Sequence, residues 1–410
     1  MLRHRDFALV QTGNSISQLG TWMQYVALGW GIRELSSWPF AVALSLVAQF
    51  GPSLLLSPYA GSVADRFDRR RVVMLGNVLM VVPPMVIGVL VTLGIQTIVS
   101  ILALAALGGV AQAMTQPAMI AIVPRIVPED EITQAIASSS VLQNLTRIFG
   151  PTLGAVAIST LGLDWAFYLN GVSFLAVVAA WAFVHPPSEV KASGSESYAT
   201  QIREGIGYAR RHVQLVQLLI YAAVMSLVVY HSALLPVIAT DVLHSGASGY
   251  GLLQSASGVG AILGALIAGE IVTDRRRRIA LVGGVFVTGG AYAIVAFSRS
   301  LPLSLVGLGL FGFAFFMANA VSQSVLLTVT PDEYRGRIVG LYSTVVSGGV
   351  PIAALIGGAI GSLLGVTEAV ATASFVLFAY GAWFVAGRGY RVIGVHERLD
   401  EPLDEGTPTF

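Results

Sequence analysis

Long apolar runs alternate with short polar breaks along almost the whole chain. They lie at 7–32, 40–64, 72–93, 98–122, 133–161 and 165–184. After a longer polar stretch they resume at 213–239, 250–272, 279–297, 303–329, 338–364 and 367–386. A helix rises 1.5 Å per residue, so about 20 mostly apolar residues cross the roughly 30 Å of bilayer hydrocarbon. Backbone groups in lipid must bond within their own segment, which selects helices for runs of this length. The pattern predicts an all-α membrane protein with 12 transmembrane helices in two pseudo-symmetric six-helix bundles.

Composition agrees with that reading. Of 410 residues, 55% are apolar and only 11% charged, against about 25% charged in a typical soluble domain. Mean hydropathy is +0.76. The chain has no cysteine, which excludes disulfides, thiolate metal sites and cysteine nucleophiles. The first apolar run is too long for a cleavable signal and has no small-x-small cleavage site, so it is expected to stay as a span.

The net charge of +1 says little, but its distribution sets a topology. One set of alternate loops holds Arg3, Arg5, Arg66, Arg69, Arg70, Arg71, Arg125, Lys191, Arg203, Arg210, Arg211, arginines 275–278, Arg335 and Arg337; the other holds Arg33 and Arg299. Positive charge stays on the cytoplasmic side of short loops. Both termini are therefore expected in the cytoplasm, with arginines 388, 391 and 398 in a polar tail. The expected domains are 1–185 and 213–387 as bundles, 186–212 as a cytoplasmic linker and 388–410 as the tail. Within the linker, 198–211 reads as a surface amphipathic helix. Gln11, Gln116, Pro128 and Gly154 each have a counterpart 203 positions on, at Gln214, Asn319, Pro331 and Gly357, as an internal duplication would leave. Parallel repeats of this kind enclose a midplane cavity in transporters.

The break at 61–71 reads GSVADRFDRRR. Its Gly61, Ala64, Asp65, Arg66, Arg69 and Arg70 resemble the loop signature of the major facilitator superfamily, with Val63 where leucine is commoner and Asp68 where glycine is usual. The stretches QLGTWMQYVALGW, TQPAMIAIVPRIVPEDEI, LTRIFGPTLG and TPDEYRGRIVGLY narrow the resemblance to the enterobactin-exporter-like, or transmembrane secretion effector, branch of bacterial inner-membrane exporters. That resemblance implies the major facilitator fold and export of a siderophore or a drug. The second-half equivalent of the basic loop, Gly269, Asp274 and arginines 275–278, is spaced one residue wider and reads equally as a topological anchor.

A gating set follows from the loop. The eleventh span begins near Arg337 and Ile338, where its free N–H groups and positive dipole end favour a carboxylate. Asp65 is expected to cap that end in the closed state, with Arg66, Arg69 and Arg70 tying neighbouring loops and Gly61 allowing close approach. A substrate path is read from polar stripes inside apolar spans, which need partners or water: Gln11, Asn14, Gln18, Thr21 and Tyr25; Gln112 and Gln116; Gln214, Gln217 and Tyr221; Asn319 and Gln323. The alternative for each stripe is hydrogen bonding between helices alone.

Arg147 lies about halfway along the fifth span, where a guanidinium costs roughly 2.5–3.5 kcal/mol on insertion scales and should be paired or wet. It could bind an anionic group on the cargo or hold backbone carbonyls. Gly150, Pro151 and Gly154 just after it resemble the motif that marks antiporters in the superfamily. His231 is the titratable side chain well inside a span, a proton carrier or a packing residue.

No P-loop, H-E-x-x-H motif or nucleophile–base pair is present, so neither an enzyme nor a bound metal or cofactor is expected. The reading is a monomeric secondary transporter of the inner membrane, exporting a small amphipathic molecule with protons as the coupling ion. A solute importer of the same fold, or a non-transporting membrane scaffold or sensor, are the alternatives.

Overall fold

The computed structural model describes residues 5–128, 131–184, 198–229, 231–387 and 389. Among them the chain is helical, without strands. The first half runs α1 (Arg5–Leu35), α2 (Pro39–Arg66), α3 (Arg69–Thr92), α4 (Ile98–Ile122), α5 (Ile132–Thr160) and α6 (Leu163–Phe183). Then come α7 (Tyr198–Arg211), α8 (Val213–Leu227), α9 (His231–Val237), α10 (Gly246–Gly269), α11 (Asp274–Phe297), α12 (Leu301–Val329), α13 (Asp332–Leu363) and α14 (Val366–Ala386). Nine helices among the described residues are long and apolar enough to cross a bilayer. α1, of 31 residues, has the length but is diluted by its polar stripe, and α5 runs for 29 residues.

The seventh predicted span is not continuous. It breaks between α8 and α9, and α9 passes into a π-helical turn at Ile238–Val242. A straight helix would use the Val228 carbonyl internally, but the Tyr292 hydroxyl donates to it at 2.9 Å. Pro236 has no N–H to give and further weakens the ladder. The 198–211 helix read from the linker forms as α7 and meets α13, where Arg337 and Glu204 pair at 3.0 Å.

Small residues set the close crossings. A Cβ on Gly264 would collide with the Phe313 backbone, and one on Gly312 with the Ser257 backbone, so α10 and α12 approach at main-chain distance. The two halves meet along two seams, α2 against α13 and α5 against α10. One buried apolar core crosses between them, joining Tyr25, Val26, Trp30, Ala43 and Leu46 to the second half. Outward faces carry exposed Leu75, Val99, Phe297 and Leu363, as a lipid-facing surface should.

Candidate functional site

A cavity of about 610 Å³ lies between the halves. Its wall takes Trp22 and Tyr25 from α1, Phe50 from α2 and Arg147 and Pro151 from α5. The second half adds His231 from α9, Gln254 and Ser257 from α10, Phe311, Phe315 and Phe316 from α12, and Ser347 from α13. The wall is mostly apolar and aromatic with a few polar groups, as small-molecule sites are. Arg147 is exposed to this space. Its guanidinium sits 5.2 Å from the Trp22 ring centre and 4.5 Å from that of Phe316, one ring from each half. His231 is buried at the edge, its Nδ1 2.6 Å from the Tyr292 hydroxyl and its ring edge-on to Phe311 at 4.3 Å.

One end of the molecule is closed across the halves. Arg33 at the end of α1 pairs with Asp241, and its Nε donates to Thr240 Oγ1 at 3.1 Å. Nearby, the Phe40 N–H donates to Ser362 Oγ at 3.0 Å, and Trp30 stacks on Tyr250 at 6.4 Å. Deeper, Thr152 and Ser255 share a hydrogen bond between α5 and α10, and Gly29 lies against the Pro236 ring. These contacts lie at the end where the predicted loops are poor in basic residues.

The polar stripe of α1 lines a different space. Gln11, Asn14, Gln18 and Thr21 share a cavity of about 420 Å³ with Gln112 and Gln116 inside the first half. Part of that set is already bonded, since Ser139 donates to Gln11 Oε1 at 2.8 Å and Asn14 reaches Met119 Sδ at 3.6 Å. Tyr25 alone of the stripe lies on the wall between the halves. The second-half residues do not join either space. Tyr221 is buried and donates to the Leu281 carbonyl at 3.0 Å, and among the described residues the buried Oε1 atoms of Gln214 and Gln217 have no hydrogen-bond partner. The Tyr342 hydroxyl donates to Asn319 Oδ1 at 3.2 Å, while Gln323 sits by Arg335 near the basic end of α12. Residues matched by the 203-position shift therefore do not share surroundings.

Of the gating set, the surroundings of Gly61 and the side chains of Asp65 and Arg66 lie outside what is described, though their backbone closes α2. Arg70 donates from Nε and Nη2 to the Trp181 carbonyl at 2.9 and 2.8 Å, and to that of Ala182 at 3.2 Å. It therefore caps the end of α6 within its own half, where free carbonyls and the negative dipole end favour a cation. Arg69 opens α3 beside it. Asp68, which replaces the usual glycine, N-caps α3 by accepting the Arg71 N–H at 2.8 Å.

Gly150 and Gly154 are where α5 meets α1. A Cβ on Gly154 would stand 2.9 Å from both Cα and O of Met23, and one on Gly150 would strike the Trp22 side chain. Pro151 is buried between them on the cavity wall. Sequence reasoning did not single out the α10 and α13 wall residues, because Gln254, Ser257 and Ser347 are isolated polar positions in small-residue helices. The Arg33–Asp241 pair had a signal, since Arg33 is one of only two basic residues assigned to that end.

Solved structures with this arrangement include a bacterial homologue of the lysosomal transporter Spinster, with a TM-score of 0.73, 13% identity and coverage of 94% of this chain and 97% of that one. A POT family transporter in complex with a thioalcohol-conjugated peptide superposes with a TM-score of 0.74 at 12% identity, over 95% and 96% of the two chains. The fold is that of a major facilitator transporter. Residues 1–390 match the transmembrane secretion effector family, and the chain belongs to it. Relatives are the MFS-type transporter YfiS of Bacillus subtilis (strain 168), 28% identical over 91% of both chains, and the multidrug efflux pump Tap of Mycolicibacterium fortuitum, 26% identical over 84% of this chain and 87% of that one. The enterobactin exporter EntS of Escherichia coli O1:K1 / APEC is 22% identical over 92% and 90%.

Proposed function

We propose that this chain exports a small amphipathic molecule from the cytoplasm, alternately exposing the cavity between its halves to the two sides of the inner membrane. The observation that carries the reading is the aromatic-lined cavity of about 610 Å³ at a seam held shut at one end by contacts between the halves. Rocking of bundle 1–185 against bundle 213–387, joined by linker 186–212 and trailed by tail 388–410, would open that end and close the basic one. Relatives named as efflux proteins support the outward direction, and the loop charges support cytoplasmic termini. The transporter is taken to act as a monomer.

The neutral polar cavity of the first half, with Gln11, Asn14, Gln18, Thr21, Gln112 and Gln116, is read as a hydrated approach to the site. Asp65 with Gly61, Arg66 and Arg69 is the gate at the basic end, and Asp65→Asn is expected to weaken its closure. Proton coupling is assigned to His231, whose unperturbed type titrates near pH 6.5. Facing it are the Tyr292 hydroxyl, the Phe311 ring and, across the cavity, Arg147 and Tyr25.

Accumulation of fluorescent drugs and an iron-free siderophore in a pump-deficient bacterium tests the reading. Expression of the chain should lower accumulation, and a protonophore or Asp65→Asn should restore it. Increased uptake would mark an importer. Unchanged levels across the panel, with protein present in the membrane, would favour a scaffold.

A further inference from the structure

We propose that the cavity between the halves is an anion site, and that the cargo is an aromatic or polycyclic molecule carrying a carboxylate, sulfonate or similar oxyanion, bound by Arg147. This deepens the export reading and rests on it for the word cargo.

Arg147 has a full positive charge halfway along α5 and no counter-charge. Among the described residues its guanidinium makes no hydrogen bond and no ion pair; what holds it are the faces of Trp22 and Phe316. Those rings contact its π-surface and leave in-plane N–H groups free to serve a bidentate acceptor. Among the described residues, the cavity wall contains no aspartate or glutamate. Two acidic side chains at the closed end are used elsewhere: Glu34 accepts from Trp30 Nε1 at 2.7 Å, and Asp241 holds Arg33.

Sign and shape both follow. An oxyanion placed on the guanidinium supplies the missing charge in a partly dehydrated space, where a charge-assisted hydrogen bond is stronger than in water. An aromatic body beside it covers Phe311, Phe315 and Phe316 of α12, where Phe311 stacks on Phe315 at 5.3 Å and Phe316 meets Phe315 edge-on at 5.3 Å. A cationic molecule of the same shape would meet a like charge with no carboxylate to offset it, so the wall discriminates by sign.

The test uses two dyes with the same tricyclic xanthene body, anionic fluorescein and an esterified rhodamine cation, titrated by anisotropy against the purified, detergent-solubilised full chain. Fluorescein is expected to bind about tenfold or more tighter than the rhodamine, as one charge-assisted hydrogen-bonded pair implies. Arg147→Gln should abolish the preference, and Arg147→Lys, which keeps the charge without the planar fork, should restore part of it. The comparison of dyes on the unaltered chain stands even if a variant fails to fold. Equal binding of both dyes, or a preference for the cation, overturns the anion site, as does a fluorescein preference that survives in a well-folded Arg147→Gln. Efflux from cells is read separately. Fluorescein binding without efflux removes the export reading and leaves the anion site standing, whereas rhodamine efflux without fluorescein binding does the reverse.

Discussion

The Arg33–Asp241 pair should set how long the molecule stays closed at its charge-poor end. The two side chains come from different halves and are 18% and 44% exposed, so solvent screens them. A pair so placed contributes about 0.5–1 kcal/mol to the closed state. Arg33 also donates to Thr240 Oγ1, likewise across the seam, and a neutral-acceptor hydrogen bond adds about 1 kcal/mol. Asp241→Asn is therefore expected to raise the ratio of open to closed molecules at this end by roughly 2–5-fold, and Arg33→Ala by roughly 10–30-fold. Because the chain has no cysteine, spin labels can be placed on Leu35→Cys and Leu363→Cys without background sites. Both positions are exposed, at the ends of α1 and α13. Double electron–electron resonance should show a longer-distance population growing in that order, and raising the ionic strength of the unaltered protein should act in the direction of Asp241→Asn. Identical distance distributions in all three proteins would refute the argument that this pair latches the seam.

Gly154→Ala places a methyl against backbone atoms of Met23 that cannot rotate away; it should destabilise the α1–α5 crossing by about 1–3 kcal/mol, read as a lower thermal midpoint of the purified protein. Tyr292→Phe removes the hydroxyl shared by His231 and the Val228 carbonyl. If His231 carries the proton, the variant should shift the pH profile of transport as well as the thermal midpoint, while a flat pH profile would make His231 a packing residue. Arg70→Ala should fray the end of α6 and lower stability by about 1 kcal/mol without altering the distance distribution across the seam, since its partners lie in its own half.

The helices were legible because the apolar runs are long and the charges between them sparse, and α7 showed itself through amphipathic spacing in a polar stretch. The break at α8–α9 was not, since what interrupts the ladder is a hydroxyl 64 residues away along the chain. The stripe of α1 was readable as a stripe but not as a place: a period of three to four gives a face, and only packing decides whether that face meets a cavity or a neighbour. Hence Gln11 and Tyr25, on one stripe, line two different spaces. Arg147 was conspicuous from its depth alone, whereas Trp22 and Phe316 became its partners only once α1 and α12 were brought together from opposite halves. Asp68 looked like a departure from a loop signature and is a helix cap, a role its side chain suits because aspartate readily accepts a backbone N–H of the first turn.

The charge inventory of the cavity also bears on what drives transport. An exporter of cations is served by an acid that can trade a proton for the cargo, and the described residues of this wall include none. With an anion on Arg147, the loaded site is neutral and can reorient without working against the membrane field. The empty site is positive, and its return toward an inside-negative cytoplasm is favoured by up to about 2.3 kcal/mol per 100 mV, depending on how much of the field falls across the movement. Over a cycle one negative charge leaves the cell, so the membrane potential alone pulls the reaction outward, and a proton taken up by His231 during the return would add to that force rather than be required for it. A protonophore collapses both components and cannot separate them. A potassium gradient with valinomycin, imposed on proteoliposomes without a pH difference, can: fluorescein accumulation under an imposed potential of the right sign assigns the work to Arg147, and accumulation only with a pH difference returns it to His231.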